Sequence, residues 1–169
     1  KNRIAWLLIL MISSMITGGI LAKYEAAFAV IPLLVTFIPM LTDTGGNAGS
    51  QSSTMIIRGM AVGEIEAGDI LRVLWKELRV GVIVGVLLGL VNYIQLVIRF
   101  PGQEMLCLTV VLSLLATVML AKTIGCVLPI AAQVLHLDPA IMAAPLITTI
   151  VDAVSLIIYF QLACSLLKI

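Results

Sequence analysis

Long apolar stretches recur along this sequence and leave little polar surface from which a water-soluble fold could be built. The stretches at residues 4–22 and 80–98 have 19 residues each, close to the roughly 20 that an α-helix needs to cross a bilayer. Of the 169 residues, 62% are hydrophobic and 11% are charged, against about 45–50% and about 25% in soluble domains. The composition therefore predicts an all-α integral membrane protein.

We predict one transmembrane domain over residues 1–169 with five spans, at residues 4–22, 26–57, 80–98, 105–134 and 139–167. The first stretch is longer than the roughly 7–15 apolar residues of a signal peptide. We expect the fourth span to bend or break around Gly125 and Pro129. The charged segment at 64–79 has apolar residues at helical spacing, which predicts an amphipathic helix on the membrane surface.

The distribution of Lys and Arg predicts the orientation, because basic residues concentrate in cytoplasmic loops. Five spans put six of the ten basic residues on the side of the N-terminus and three on the other. We therefore expect a plasma-membrane protein with a cytoplasmic N-terminus and an extracytoplasmic C-terminus. The tenth basic residue, Lys122, lies inside the fourth span, and we expect its side chain to snorkel to the interface. Because the sequence begins at Lys1 without a methionine, we also expect a missing N-terminal region.

Several functional classes have no support in the sequence. A net charge of +1 with 5% aromatic residues gives no electrostatic or stacking case for a nucleic-acid partner. The three cysteines lie in apolar runs without metal-ligand spacing, so we interpret them as small hydrophobic residues. No Ser-His-Asp or Cys-His arrangement is present, and we predict that the protein is not an enzyme.

The third span contains a stripe of glycines at every fourth residue: Gly81, Gly85 and Gly89. Such a stripe lets a second helix approach closely, so we predict a helix-packing surface. The alternative is that these glycines face lipid and are merely tolerated there.

Charged side chains within the apolar spans are candidates for a functional site, because burying a charge in hydrocarbon is costly. Asp152 lies 13 residues into the fifth stretch, near the expected midplane, and helical periodicity places Thr148 and Ser155 on its face. This face, together with Thr149, would suit a water-lined path. The alternative is a buried aspartate that is hydrogen-bonded to hydroxyl groups or protonated.

A second polar stripe begins at Asp43. If the second helix continues through the polar string, Asp43, Asn47, Ser50 and Thr54 fall on one face. Glycines in the string would also permit an irregular backbone, which membrane proteins tolerate only when it is buried or lines a cavity. The string is therefore a pore lining, a broken helix around a binding site, or a glycine-rich surface loop.

The candidate ligands are all oxygen atoms, which suits a hard divalent cation better than zinc or copper. Mg²⁺ sheds its water reluctantly, so a site with few carboxylates would hold it in hydrated form. One Asp152 per chain provides little charge for a divalent ion. A homodimer with the pore on its two-fold axis would present two such carboxylates.

Two motifs resemble the signature of the MgtE family of magnesium channels: the run from Pro39 to Gln51 continued by residues 57–61, and residues 137–140 continued by 145–152. The resemblance extends over the whole chain with five spans in the same order. It implies a homodimeric, Mg²⁺-selective pore lined by the second and fifth spans. It also implies that Asp152 binds hydrated Mg²⁺ with backbone help from Thr148, and that Asn47, Ser50 and Thr54 line the cytoplasmic half.

Full-length members of that family carry a cytosolic Mg²⁺-sensing region with CBS domains before the first span, so this chain resembles the membrane domain alone. Without that region, we expect no closure as internal Mg²⁺ rises. Two other functions remain open at this point: a H⁺- or Na⁺-coupled carrier in which Asp152 titrates, and a non-transporting membrane scaffold.

Overall fold

The computed structural model describes residues 2–136, 138–139 and 144–168, and within them α-helices dominate. The chain order is α1 (Asn2–Lys23), α2 (Glu25–Val30), α3 (Leu33–Thr36), α4 (Ile38–Ala61), α5 (Ile70–Arg99), α6 (Glu104–Val134) and α7 (Ala144–Leu167), with one 3₁₀ turn at Ala67–Asp69. The prediction of an all-α fold is confirmed.

Three helices of the described chain are long and apolar enough to cross a membrane: Ile70–Arg99, Glu104–Val134 and Pro145–Leu167. Large apolar side chains on α5, including Ile83, Val91 and Ile98, are more than half exposed. A surface of this kind is stable against lipid and not against water. The protein is therefore a multi-pass membrane protein.

The predicted second span, residues 26–57, is not one helix. It is interrupted at Ile31 and again at Phe37, leaving the short α2 and α3 before α4. Pro32 explains the first break, because a proline lacks the backbone N–H and disfavours helical backbone in the residue before it. Ile31 accordingly has an extended conformation, with φ −132° and ψ 83°.

Residues 70–79 of the predicted surface helix and the predicted third span at 80–98 lie in one helix, whereas residues 64–69 are not α-helical. After the 3₁₀ turn, α5 runs for 30 residues without interruption, about 45 Å at 1.5 Å per residue. This exceeds the roughly 30 Å thickness of a hydrocarbon core. The first turns of α5 therefore have the length to project beyond the hydrocarbon.

Helix α6 is the centre of the fold and packs against α4, α5 and α7. It continues without interruption through Pro129, where we expected a bend or break. The fifth predicted span begins at 139, whereas α7 begins at Ala144; residues 140–143 lie outside the described residues.

Glycines determine how closely the helices approach α6. Gly81, Gly85 and Gly89 are buried and face Met119, Leu115 and Val111 of α6, respectively. The tightest of these glycine contacts is between α4 and α6, where an added Cβ at Gly125 would overlap the carbonyl oxygen of Gly49. Neither helix could hold this position with a larger side chain at 125.

We predict that Gly125→Ala destabilises the protein by about 1–3 kcal/mol, because the methyl group must push α4 away from α6. The matched control is Gly18→Ala in α1, where an added Cβ meets nothing within 4 Å. This control should be neutral or stabilising by up to about 1 kcal/mol through helix propensity. Thermal unfolding in detergent measures both, and equal stability of Gly125→Ala and the parent would contradict the packing argument.

Candidate functional site

The polar string of residues 42–54 is part of one continuous helix, α4. Its polar face (Asp43, Asn47, Ser50 and Thr54) is exposed or half-buried, and the amide of Asn47 donates a hydrogen bond to Asp43 Oδ2 over 3.2 Å. Its glycines instead face the neighbouring helices. Glycine and serine are poor helix formers, so packing against α6 and α7 must supply most of the stability of α4.

Two of these glycines bring α4 onto α7. A Cβ at Gly46 would lie 3.0 Å from Thr148 Cγ2, and one at Gly45 would lie 2.9 Å from Val151 Cγ1. Since neither glycine has a side chain, the backbones of α4 and α7 can approach closely. This contact places the polar face of α4 beside the face of α7 that carries Asp152.

Between the two helices lies a cavity of about 370 Å³. Its lining includes both carboxylates, Asp43 and Asp152, with further oxygen-bearing side chains from the same two helices. The complete set is Pro39, Thr42, Asp43, Gly46, Asn47, Thr148 and Asp152. Sequence reasoning proposed Asp43, Asn47, Thr148 and Asp152 from helical spacing, and missed Pro39, Thr42 and Gly46.

The hydroxyl groups near Asp152 do not satisfy its carboxylate. Thr148 and Thr149 both donate to the carbonyl oxygen of Pro145, at 3.0 and 2.9 Å, and Ser155 donates to that of Val151 at 2.6 Å. Each hydroxyl is therefore committed to the backbone of its own helix. The carboxylate of Asp152 is left to face the cavity.

Four of the expected lining residues lie outside this cavity. Ser155 is buried at the contact of α7 with α4, close to Gly45, because the helices converge there and close that end. Thr149 is half-buried on α7. Ser50 and Thr54 continue the polar face of α4 beyond the cavity.

The expectation that Lys122 snorkels to the interface is wrong. Its side chain is 6% exposed, and its Nζ lies 3.4 Å from Oε2 of the equally buried Glu77 on α5. It also donates a hydrogen bond to Ser52 Oγ of α4 over 3.2 Å. An internal carboxylate therefore satisfies the charge in place of water. Sequence reasoning assigned Glu77 to the surface helix, although it lies one turn before Gly81 on the buried glycine stripe.

A second, larger cavity of about 670 Å³ lies between the end of α4 and the start of α5. Four basic side chains contribute to its lining: Arg58, Arg72, Lys76 and Arg79. Glu77 also lines this cavity, so the buried ion pair with Lys122 lies next to it.

The chemistry of the first cavity suits a hydrated hard cation. Among the described residues, no group of three or more His, Cys, Asp or Glu side chains is arranged to hold a metal ion. Asp43 and Asp152 are the acidic residues that line this cavity, and two carboxylates do not complete the ligand shell of a dehydrated metal ion. A cation such as Mg²⁺, which retains its water molecules, can be held by few carboxylates in this way.

Comparison with known proteins gives consistent results. The model of the MgtE family, described as divalent cation transporters, matches residues 38–162. The chain is 35% identical to the magnesium transporter MgtE of Thermus thermophilus over 166 residues, which is 98% of this chain and 36% of that protein. It is 34% identical to the magnesium transporter MgtE of Bacillus subtilis over 162 residues, 96% of this chain and 36% of that protein. The chain thus spans just over a third of the length of these curated relatives.

We predict that Asp43→Asn weakens binding of a divalent cation at this cavity by about five- to tenfold. Losing one negative charge removes about 1 kcal/mol of attraction when water separates the ion from the carboxylate. The measurement is the rise in melting temperature on titration with Mg²⁺, since a bound ligand stabilises the folded state. Glu25→Gln, an exposed acidic position in α2, is the control. Identical Mg²⁺ titrations for Asp43→Asn and the parent would exclude Asp43 from the site.

Proposed function

Because the chain belongs to the MgtE family of divalent cation transporters, we propose that it is the membrane domain of a Mg²⁺-selective channel. The observation that carries the proposal is the cavity between α4 and α7, into which Asp152 presents a carboxylate that no neighbouring hydroxyl satisfies. Hydrated Mg²⁺ is the transported ion, and Asp152 is the selectivity centre. Thr148 lies beside Asp152 and contributes to the same ion site. The polar face of α4 extends the ion path beyond the cavity.

Selectivity follows from the charge and distance of the ligands. A hydrated ion contacts the protein through its water molecules, so carboxylate and amide oxygens act as acceptors for those waters. A monovalent cation gains about half the attraction of a divalent cation at the same distance. A site of this kind binds a divalent ion weakly enough to release it, as conduction requires.

The complete pore is a homodimer with the ion path on its two-fold axis. Each chain contributes one cavity wall from α4 and α7, and the two-fold axis brings a second Asp152 to the same ion. The exposed position of Asp43 and Asn47 on a membrane helix supports this arrangement. Polar side chains inside a bilayer face water or protein rather than lipid.

The membrane topology of the proposal has five spans, with α1 and α4 crossing in addition to α5, α6 and α7. Helix α1 has 22 residues and α4 has 24, about 33 and 36 Å respectively. Polar residues reduce the hydropathy of α4, as expected for a helix that lines an aqueous path. The N-terminus is cytoplasmic, the C-terminus extracytoplasmic, and the membrane is the plasma membrane. The relatives' additional length fits a cytosolic regulatory region that belongs to the same protein.

We predict voltage-driven Mg²⁺ entry into sealed liposomes that contain the protein, with a loss of at least about 10-fold in Asp152→Ala. The isosteric Asp152→Asn should lose a similar amount, because charge rather than size attracts the ion. The exposed Lys76→Met serves as the control and should conduct like the parent. Equal flux in the parent and both Asp152 variants would remove this residue from the ion path.

We also predict that Mg²⁺ flux follows the Mg²⁺ electrochemical gradient alone. An imposed pH or Na⁺ gradient at constant voltage should leave the rate unchanged in a channel. A rate that rises with either gradient would identify a coupled carrier in which Asp152 titrates. The absence of flux in the parent under every gradient would favour a non-transporting scaffold.

A further inference from the structure

A buried polar cluster joins three helices at one point behind the cavity: Ser52 of α4, Glu77 of α5 and Lys122 of α6. Lys122 Nζ lies 3.4 Å from Glu77 Oε2 and 3.2 Å from Ser52 Oγ. The hydroxyl of Ser52 in turn donates a hydrogen bond to Glu77 Oε2. Each residue therefore contacts the other two, and each comes from a different helix.

The cluster holds α4 from the side opposite its polar face. At 3.6 residues per turn, Ser52 lies about 170° around the helix from the middle of that face. Burial agrees with this placement, because Ser52 is 0% exposed while Asn47 and Thr54 are exposed. A rotation of α4 that turned Thr54 away from its present direction would also separate Ser52 from its two partners.

The packing surfaces beside the cluster fix how closely α4 approaches its neighbours, and the cluster adds a contact that depends on direction. Next to Ser52, α4 meets α6 through Gly49 and Gly125, and beside Glu77 the α5 surface continues with Gly81. Glycines at these contacts allow the helices to approach closely. Hydrogen bonds depend on direction, and they are strong where water is excluded.

A buried ion pair is also not needed for stability alone. Replacing such a pair with apolar residues of similar volume is often neutral or stabilising, whereas removing one partner leaves an unpaired buried charge. The side chain of Lys122 passes Gly81, whose added Cβ would lie 3.5 Å from Lys122 Cδ. The three helices thus accommodate a specific polar contact. An apolar pair could fill the same volume, but it would not impose an orientation on α4.

We propose that Glu77 and Lys122 are positioning residues that act through Ser52 to fix the rotation of α4, and with it the direction of the polar face. The inference rests on the proposed ion path along that face. Neither residue lines the cavity that contains Asp152, so their effect on transport is indirect. The hydrogen bond from Ser52 to Glu77 also couples the rotation of α4 to the first turns of α5, where Glu77 lies.

The test uses variants that distinguish a change in the rotation of α4 from a change in the stability of the folded protein. Glu77→Gln and Lys122→Met each break the pair, and Glu77→Leu combined with Lys122→Met replaces it with apolar side chains that keep the packing. Exchange of the two charges, Glu77→Lys with Lys122→Glu, retains an ion pair. Lys76→Met, at an exposed neighbour of Glu77, is the matched control.

The direct readout is the accessibility of introduced cysteines to a membrane-impermeant, charged thiol reagent. The native Cys107, Cys126 and Cys164 are replaced by alanine, and cysteine is placed at Thr54 or at the buried Ser53. In the apolar double variant we expect modification at position 54 to slow by about 10-fold and modification at 53 to accelerate. Mg²⁺ flux per folded protein should fall by at least about 10-fold, because the polar face would no longer line the proposed ion path. The melting temperature should stay close to that of the parent.

Charge exchange should recover part of both readouts, because it restores a directional contact. If the apolar double variant keeps the accessibility and flux of the parent, the positioning role is overturned and the cluster is only a packing contact. A parent that transports no Mg²⁺ would contradict the proposed function instead. The cysteine accessibilities would still decide whether the cluster fixes the rotation of α4.

Discussion

The close approach of α4 to α6 and α7 is the constraint on which the rest of the structure depends. Helix α4 contains a long polar string that neither lipid nor its own helix propensity would stabilise. Gly49 against Gly125, and Gly45 and Gly46 against α7, allow this helix to pack deeply enough to gain dispersion contacts along its buried side. As a result the polar side chains on its other side meet the carboxylate of Asp152 across a small cavity.

The polar residues of α4 are divided between two environments, and each environment satisfies them in a different way. Asp43 and Asn47 contact the cavity, where water or a hydrated ion can satisfy them. Ser52 faces inward, where no water is needed because Glu77 and Lys122 satisfy its hydroxyl. Burying an unpartnered charge in hydrocarbon would cost several kcal/mol. Lys122 and Glu77 avoid this cost only together, which explains why the two charges occur at the same depth on facing helices.

Helical periodicity predicted much of the candidate site, because both polar faces lie within regular helices. The spacing of Asp43 and Asn47 on α4, and of Thr148 and Asp152 on α7, was sufficient to place these residues on common faces. It did not reveal that Ser155 is enclosed, because this depends on how closely Gly45 approaches α7. The Glu77–Lys122 pair also escaped prediction, since an ion pair between residues 45 positions apart has no local signal. Gly81, one turn after Glu77, was the available indication that this face of α5 is buried from residue 77 onward.

The boundaries of the helices were less predictable than their existence. Hydropathy alone joined residues 26–57 into one stretch, because Pro32 and Phe37 are themselves apolar and do not interrupt an average over many residues. The backbone chemistry of proline nevertheless breaks the stretch at Ile31. A second interruption, at Phe37, separates α3 from α4, and α4 packs along α6. Tyr159 of α7 contacts this interrupted segment, since its hydroxyl donates a hydrogen bond over 2.9 Å to the carbonyl oxygen of Leu34 in α3. The same helix that carries Asp152 is thus hydrogen-bonded to the short helix just before α4, and this contact helps to align the two walls of the cavity.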